Sequence, residues 1–294
     1  METIDLLRQR IAVTEELLGV VKIMKTLAAV NIRQYLRAVE SLADYHRTVD
    51  MGLQIFMRQE PGELPATQTR ARRWGVIVFG SEWGMCGQFN DQIVGFALEK
   101  IRELVSRPED CVYLAVGHRA LSRLEEEGVA IREVVSIPGT VSGIAAQVQG
   151  LVLTLEEWQN QLGLDRIVLF HHRLVSKTQY QPQMVYLLPL DLKWLADLRK
   201  RPWPSRVLPT YTMEREGLFS ALLGQLFFVL LFQAFAESLA SENAGRLTAM
   251  QIAEDNITTR LQELRQTFNQ SRQTAITEEL LDIVAGYEAF NHQD

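Results

Sequence analysis

Ser241-Glu-Asn-Ala-Gly-Arg-Leu-Thr-Ala-Met250 and, further on, Asn269-Gln-Ser-Arg-Gln-Thr-Ala-Ile-Thr-Glu-Glu-Leu-Leu-Asp-Ile-Val284 stand on one uninterrupted stretch of chain. No proline follows Pro209. Proline is the residue that stops a helix, because it lacks the N–H donor and collides with the preceding turn. The stretch therefore predicts a single helix from about Tyr211 to Phe290. Its apolar residues Leu247, Met250, Ile257, Leu261, Leu264 and Phe268 are spaced by threes, fours and one seven, which marks a seam along one face. The stripe resumes at Ile276, Leu280, Ile283 or Val284, and Tyr287.

A matching seam lies at the other end. Ile4, Ile11, Leu18, Lys25, Ile32, Val39, His46 and Leu53 occupy one heptad position, and Leu7, Thr14, Val21, Ala28, Tyr35, Leu42, Val49 and Phe56 the other. Only Thr14, Lys25 and His46 break the apolar run. A 3.5-residue repeat sustained this far predicts a coiled-coil helix about 80 Å long. Gln59–Arg73, with Pro61, Gly62 and Pro65, reads as a linker. Beyond it Trp74–Phe79, Cys111–Val116 and Arg166–Phe170 are short β-branched or aromatic runs typical of buried strands, and Met184–Leu188 closes the set. Between the first two, Asn90–Val105 has helical spacing. The expectation is a long helix over 1–58, an inserted parallel-rich α/β domain over 74–205, and a second long helix over 210–290. Because the inserted domain returns the chain to its starting point, the two end helices are expected to pair antiparallel.

Composition narrows the function. Residues 237–294 carry 4 basic and 10 acidic side chains, so the whole net charge of −6 sits there. That argues against nucleic acid, whose phosphates need a basic surface. Cys86 and Cys111 form no disulfide framework and lack zinc-site spacing. The opening Met-Glu-Thr-Ile-Asp is acidic and has no secretory pattern. Gly217–Ala236 is uncharged and long enough to span a bilayer. Its acidic flanks and internal Ser220, Gln225 and Gln233 favour burial inside the fold instead. Gly80-Ser-Glu-Trp-Gly-Met-Cys-Gly87 follows a strand, but fits neither the dinucleotide fingerprint nor a P-loop. His171 and His172, adjacent at a strand end, point to opposite faces and cannot share a metal ion. Glu125–Glu127 reads as an exposed helix end. No nucleophile, base and orienting acid assemble, so catalytic, metal and cofactor sites are all expected to be absent.

Four blocks carry a resemblance. Met24-Lys-Thr-Leu-Ala-Ala29 resembles the Met-Lys-x-Val-Ala-Ala of the γ subunits of F-type ATP synthases, and Ser81-Glu-Trp-Gly-Met-Cys-Gly-Gln-Phe-Asn90 is similar to their Ser-Asp-x-Gly-Leu-Cys-Gly-x-x-Asn turn. The two C-terminal blocks complete the set. The resemblance implies α+β content, with a long antiparallel coiled coil of the terminal helices and an inserted Rossmann-like α/β domain. It implies a non-catalytic rotor shaft coupling ion flow through a membrane c-ring to the catalytic β subunits. Its partners would be three α and three β subunits, ε and the c-ring, in the F1 sector at the cytoplasmic face of a bacterial plasma membrane. Met24, Lys25, Arg272, Gln273, Thr277 and Glu278 would contact the α/β ring, and Ile283, Val284, Tyr287 and Phe290 would form an apical bearing. Glu15, Glu16 and Asn31 dilute the basic character usual near the Met-Lys block. With the apolar Gly217–Ala236, this points to a divergent bacterial branch such as the alternate F-type ATPases. The competing expectation is a nucleotide-binding α/β enzyme dimerised through its end helices.

Overall fold

The apolar strand runs pair into one five-stranded sheet of order β3-β2-β1-β4-β5. The computed structural model describes residues 3–59, 73–176 and 179–291, with side chains described to residue 285. In chain order the elements are α1 (Ile4–Gln59), β1 (Arg73–Phe79), α2 (Phe89–Leu104), β2 (Cys111–Val116), α3 (His118–Glu126), β3 (Ile131–Val135), α4 (Val141–Leu162), β4 (Leu164–Leu174), β5 (Tyr180–Leu188), α5 (Leu192–Lys200) and α6 (Arg215–Asn291). Pairings within β3-β2-β1-β4 are parallel, and only β4 with β5 is antiparallel. The interior of the Gln59–Arg73 linker lies outside the described residues.

The chain divides into two compact units, Ala28–Arg246 and the pairing of residues up to Leu27 with those from Leu247. The first unit is layered. Val76 and Val78 face Ile93, Val94, Ala97 and Ile101 of α2, whereas Ile77 and Phe79 face Ile144, Val148 and Leu151 of α4 and Phe235 of α6. Successive residues of β1 thus alternate faces, and helices cover both, which is why the strand has no polar position after Arg73. The greasy Gly217–Ala236 stretch is explained by the same demand. Phe227, Leu231 and Phe235 pack toward the sheet, while Leu226 and Val229 meet Val49 and Leu53 of α1 and Leu198 of α5. It is long and apolar enough to cross a membrane, but seven of its residues, Leu226 to Ala236 among them, are buried against protein.

Three local expectations change. α6 begins at Arg215, not near Tyr211, so Thr210–Glu214 enter it as coil. β3, Ile131-Arg-Glu-Val-Val135, escaped the sequence reading. It is an edge strand whose alternate residues are exposed, so it lacks the continuous apolar run of its neighbours. The histidines lie within β4, which continues to Leu174, rather than at its end. Their opposite orientation holds. His171 Nε2 lies 3.0 Å from Glu237 Oε2 of α6, and His172 Nε2 lies 2.9 Å from the Phe89 carbonyl of α2. Burial drives the His172 pKa down to about 4, against the weaker opposing pull of that carbonyl.

Candidate functional site: the paired end helices

In the second unit α1 and α6 pair antiparallel. Lys25 Nζ donates to Gln251 Oε1 at 3.2 Å and forms an ion pair with Glu254. Further along, Arg265 Nη2 donates to Glu15 Oε1 at 2.6 Å, and the Arg8 guanidinium sits 6.0 Å above the Phe268 ring. As the numbers fall along α1 they rise along α6, which fixes the direction. The seam is the predicted one. Leu7, Val21, Met250, Leu261 and Leu264 are buried, and Ile4, Ile11, Thr14, Leu18, Lys25, Ile257 and Phe268 are half-buried between the helices. Lys25 does not weaken the seam as a bare charge would, because α6 supplies its counter-charge.

The register has a consequence at the far end. If Lys25 faces Glu254 and Glu15 faces Arg265, Ile4 comes level with Ala275. Ser271 and Ala275 are the last half-buried residues of α6 among those whose side chains are described. Beyond them Ile276, Leu280, Leu281, Ile283 and Val284 are all exposed, at 44–67%. The stripe expected to resume at Ile276, Leu280 and Ile283 or Val284 therefore lies beyond the pairing with α1. The apolar stripe is there, but α1 has run out and nothing among the described residues covers it. The side chains of Tyr287 and Phe290 lie outside the described residues. Arg272, Gln273, Thr277 and Glu278 are exposed on the same stretch, and Met24 is half-buried on α1.

A second stripe was missed. Leu6, Val13, Val20 and Leu27 recur at strict seven-residue spacing, and Leu17 and Met24 fall between them at the alternate positions of a second heptad. The stripe lies two residues from the Ile4 seam position and one from the Leu7 position, about 100° around the helix from the nearer edge of the seam, so it runs along the flank of the pairing with α6. Leu6, Val13, Leu17, Val20 and Leu27 are 40–55% exposed. The signal was available in the sequence as a second period of seven. It was hidden because the first seam already accounted for most of the helix's apolar content.

Two of the motif blocks meet in the Ala28–Arg246 unit. Asn90 Oδ1 accepts from the Ser81 amide at 2.9 Å, while Asn90 Nδ2 donates to Ser81 Oγ at 2.9 Å. Cys86 is buried against both side chains, and burial first of all raises its thiol pKa. From α6, Arg246 Nη2 reaches Glu242 Oε1 at 2.6 Å and the Gly84 carbonyl at 3.3 Å. Burial also pushes the Glu242 carboxyl pKa up, against the pull of Arg246. Gly245 lies so close that a Cβ there would stand 2.8 Å from the Cys86 carbonyl oxygen. The Gly80–Gly87 turn is thus filled by the protein's own groups, and its polar atoms lock α6 against the sheet domain. Only Trp83 and Met85, 75% and 61% exposed, project from it. Met85 takes a left-handed backbone, φ 62°. Among the described residues no cluster of three His, Cys, Asp or Glu side chains is arranged to hold a metal ion.

A family profile described as ATP synthase matches residues 3–290. An ATP synthase gamma chain of Acaryochloris marina (strain MBIC 11017) is 28% identical, spanning 99% of this chain and 100% of the relative. That of Nitrosospira multiformis is 31% identical over 73% of each. Among solved structures, a chain of the Euglena gracilis mitochondrial ATP synthase OSCP/F1/c-ring assembly in rotational state 3 shares the fold with a TM-score of 0.65 at 17% identity, covering 98% of this chain and 94% of that one. A chain of the Tetrahymena thermophila mitochondrial ATP synthase central stalk/c-ring aligns with a TM-score of 0.58 at 19% identity, over 80% and 99%.

Proposed function

The chain belongs to the ATP synthase gamma-chain family, and we propose that it turns as the central shaft of a bacterial F-type ATP synthase. It is a non-catalytic subunit of a membrane-bound complex, and the chemistry belongs to other chains. In this reading the paired end helices stand inside a ring of three α and three β subunits, and the sheet domain meets ε and the c-ring at the cytoplasmic face of the membrane. Flow of protons or sodium ions turns the c-ring and the shaft, and the shaft's asymmetry drives each β subunit through its nucleotide states. Run in reverse, ATP hydrolysis pumps the ion.

The observation that carries the proposal is the uncovered second heptad stripe on α1, joined by the apolar overhang of α6. A two-helix pair meant to stand alone would put polar residues on its outer faces. A sustained apolar stripe there calls for surrounding protein. Met24 on that stripe, and Arg272, Gln273, Thr277 and Glu278 on the overhang, are the contacts we assign to the ring. Lys25 joins them through the part of its side chain that the Glu254 pair leaves exposed. Ile283, Val284, Tyr287 and Phe290 are assigned to the apical bearing. Charged and amide contacts suit a turning part, since they can be exchanged stepwise without breaking one deep apolar interface.

The test places charge on the stripe. Val20→Glu with Leu27→Glu alters exposed side chains only, so the full chain alone should keep its unfolding free energy to within about 0.5 kcal/mol. The double variant should lose co-purification with α and β and the ATP-driven rotation of the assembled complex. Undiminished assembly and rotation would refute the assignment.

A further inference from the structure

Beside the sheet domain, α1, α4 and α6 line an open groove of about 730 Å³ that shares no residue with the ring and bearing contacts assigned above. That volume lies within the range of small-molecule sites. Its α6 side is formed by the small residues Gly217, Ser220, Ala221 and Gly224, which let a ligand approach the helix backbone closely. One end is closed by two aromatic rings, Tyr45 and Phe228, with centroids 6.2 Å apart and planes at 76°. The Tyr45 hydroxyl is held by a hydrogen bond to Gln225 Oε1 of α6, which fixes the ring's attitude. Val152 and Leu153 of α4 supply the opposite apolar wall.

Charge decides the ligand class. Glu156 is the one charged side chain in the lining, and no Lys, Arg or His joins it. It is exposed at the rim of the groove, without a hydrogen-bond or ion-pair partner among the described residues. Its Oε1 leans over the small-residue floor, 3.8 Å from where a Cβ on Gly224 would stand. A carboxylate across from an aromatic corner, over a floor open to close approach, favours a positive charge on an apolar body. The ring faces attract a cation through their quadrupoles, and the carboxylate attracts it directly. An anion would meet only repulsion.

We propose that this groove is a binding site for a hydrophobic organic cation, an aryl or alkyl ammonium whose charged head lies between Glu156 and the Tyr45–Phe228 corner. The site shares no residue with the ring and bearing contacts named above, and its binding test needs no partner subunit.

Three naphthyl probes of similar size test it by ligand-observed NMR and calorimetry on the full chain: 1-naphthylmethyl-trimethylammonium, 1-naphthalenemethanol and 1-naphthaleneacetate. The cation should bind about fivefold tighter than the alcohol, and the acetate weakest of all. Glu156→Gln, equal in shape, should bring the cation down to the level of the alcohol. Glu157, exposed like Glu156 but outside the lining, should leave it unchanged when changed to Gln. Gly224→Leu should abolish binding of all three by filling the floor. Equal affinity for cation and alcohol, equal losses in the Glu156 and Glu157 variants, or no binding of the cation at millimolar concentration would each overturn the proposal. The probe comparison needs no variant to fold.

Discussion

Replacing Gly245 by alanine tests whether the two motif blocks are packing partners. Gly245 lies within α6, where alanine is the better helix former by about 1 kcal/mol. Propensity alone therefore predicts stabilisation. The structure predicts the reverse, because the new methyl would stand 2.8 Å from the Cys86 carbonyl oxygen and 3.2 Å from the Tyr180 hydroxyl. The Cys86 carbonyl is backbone, in a turn pinned by Ser81 and Asn90, so it cannot swing aside as a side chain would. Helix or turn must shift by roughly 0.5 Å, and forcing a methyl into a filled site costs about 1–3 kcal/mol. With backbone as the obstacle, the upper part of that range applies, leaving a net loss of about 1–2 kcal/mol. Gly95 is the internal control. It lies on the exposed face of α2, and no atom lies within 4 Å of the position its Cβ would take. Gly95→Ala should stabilise by up to about 1 kcal/mol. Urea unfolding of the full chain reads both as midpoint shifts at unchanged slope. The two identical substitutions should differ by roughly 2–3 kcal/mol in opposite directions. Should Gly245→Ala stabilise as Gly95→Ala does, the close packing of α6 on the Ser81–Gly87 turn is wrong.

Two further outcomes follow from the charged groups. Below pH 6.5 the unfolded chain takes up a proton that buried His172, with its pKa near 4, refuses. Stability therefore falls as the pH drops through that window, by about 3 kcal/mol from this residue. His172→Gln, which does not titrate, should flatten the acid limb by that amount, and an unchanged pH profile would show that His172 is not kept neutral. At the shaft, a double-mutant cycle on Lys25 and Glu254 should give a coupling of about 0.5–1 kcal/mol, because their side chains are only 29% and 18% exposed. The Glu15–Arg265 pair, 47% and 60% exposed, should give close to nothing. Equal couplings for the two pairs would contradict the difference in burial.

The inner seam of α1 was legible residue by residue. All sixteen heptad positions read from the sequence are buried or half-buried, including Thr14, Lys25 and His46. Strand β2 was read with its observed limits, and β1 and α2 to within a residue. These succeed because each rests on a local period, and the period of apolar residues dictates which side of an element is hidden. β3 failed that test, since its exposed alternate residues are Arg132, which is charged, and Val134, and its strand character comes from pairing with β2. His171 and Glu237, far apart in sequence, could not be matched before the sheet and α6 were placed together.

The sequence by itself determined that both ends of this chain are long helices with apolar seams, separated by a sheet domain, and its motif blocks named the family. Only the tertiary structure decided where α1 ends relative to α6. That register leaves Ile276–Val284 uncovered, turns Lys25 into an internal partner of Glu254, and presents the Leu6–Leu27 stripe outward. Periodicity is a property of one helix and can be counted along it. Register is set by the summed packing of two helices against each other, so it exists only once both are in place.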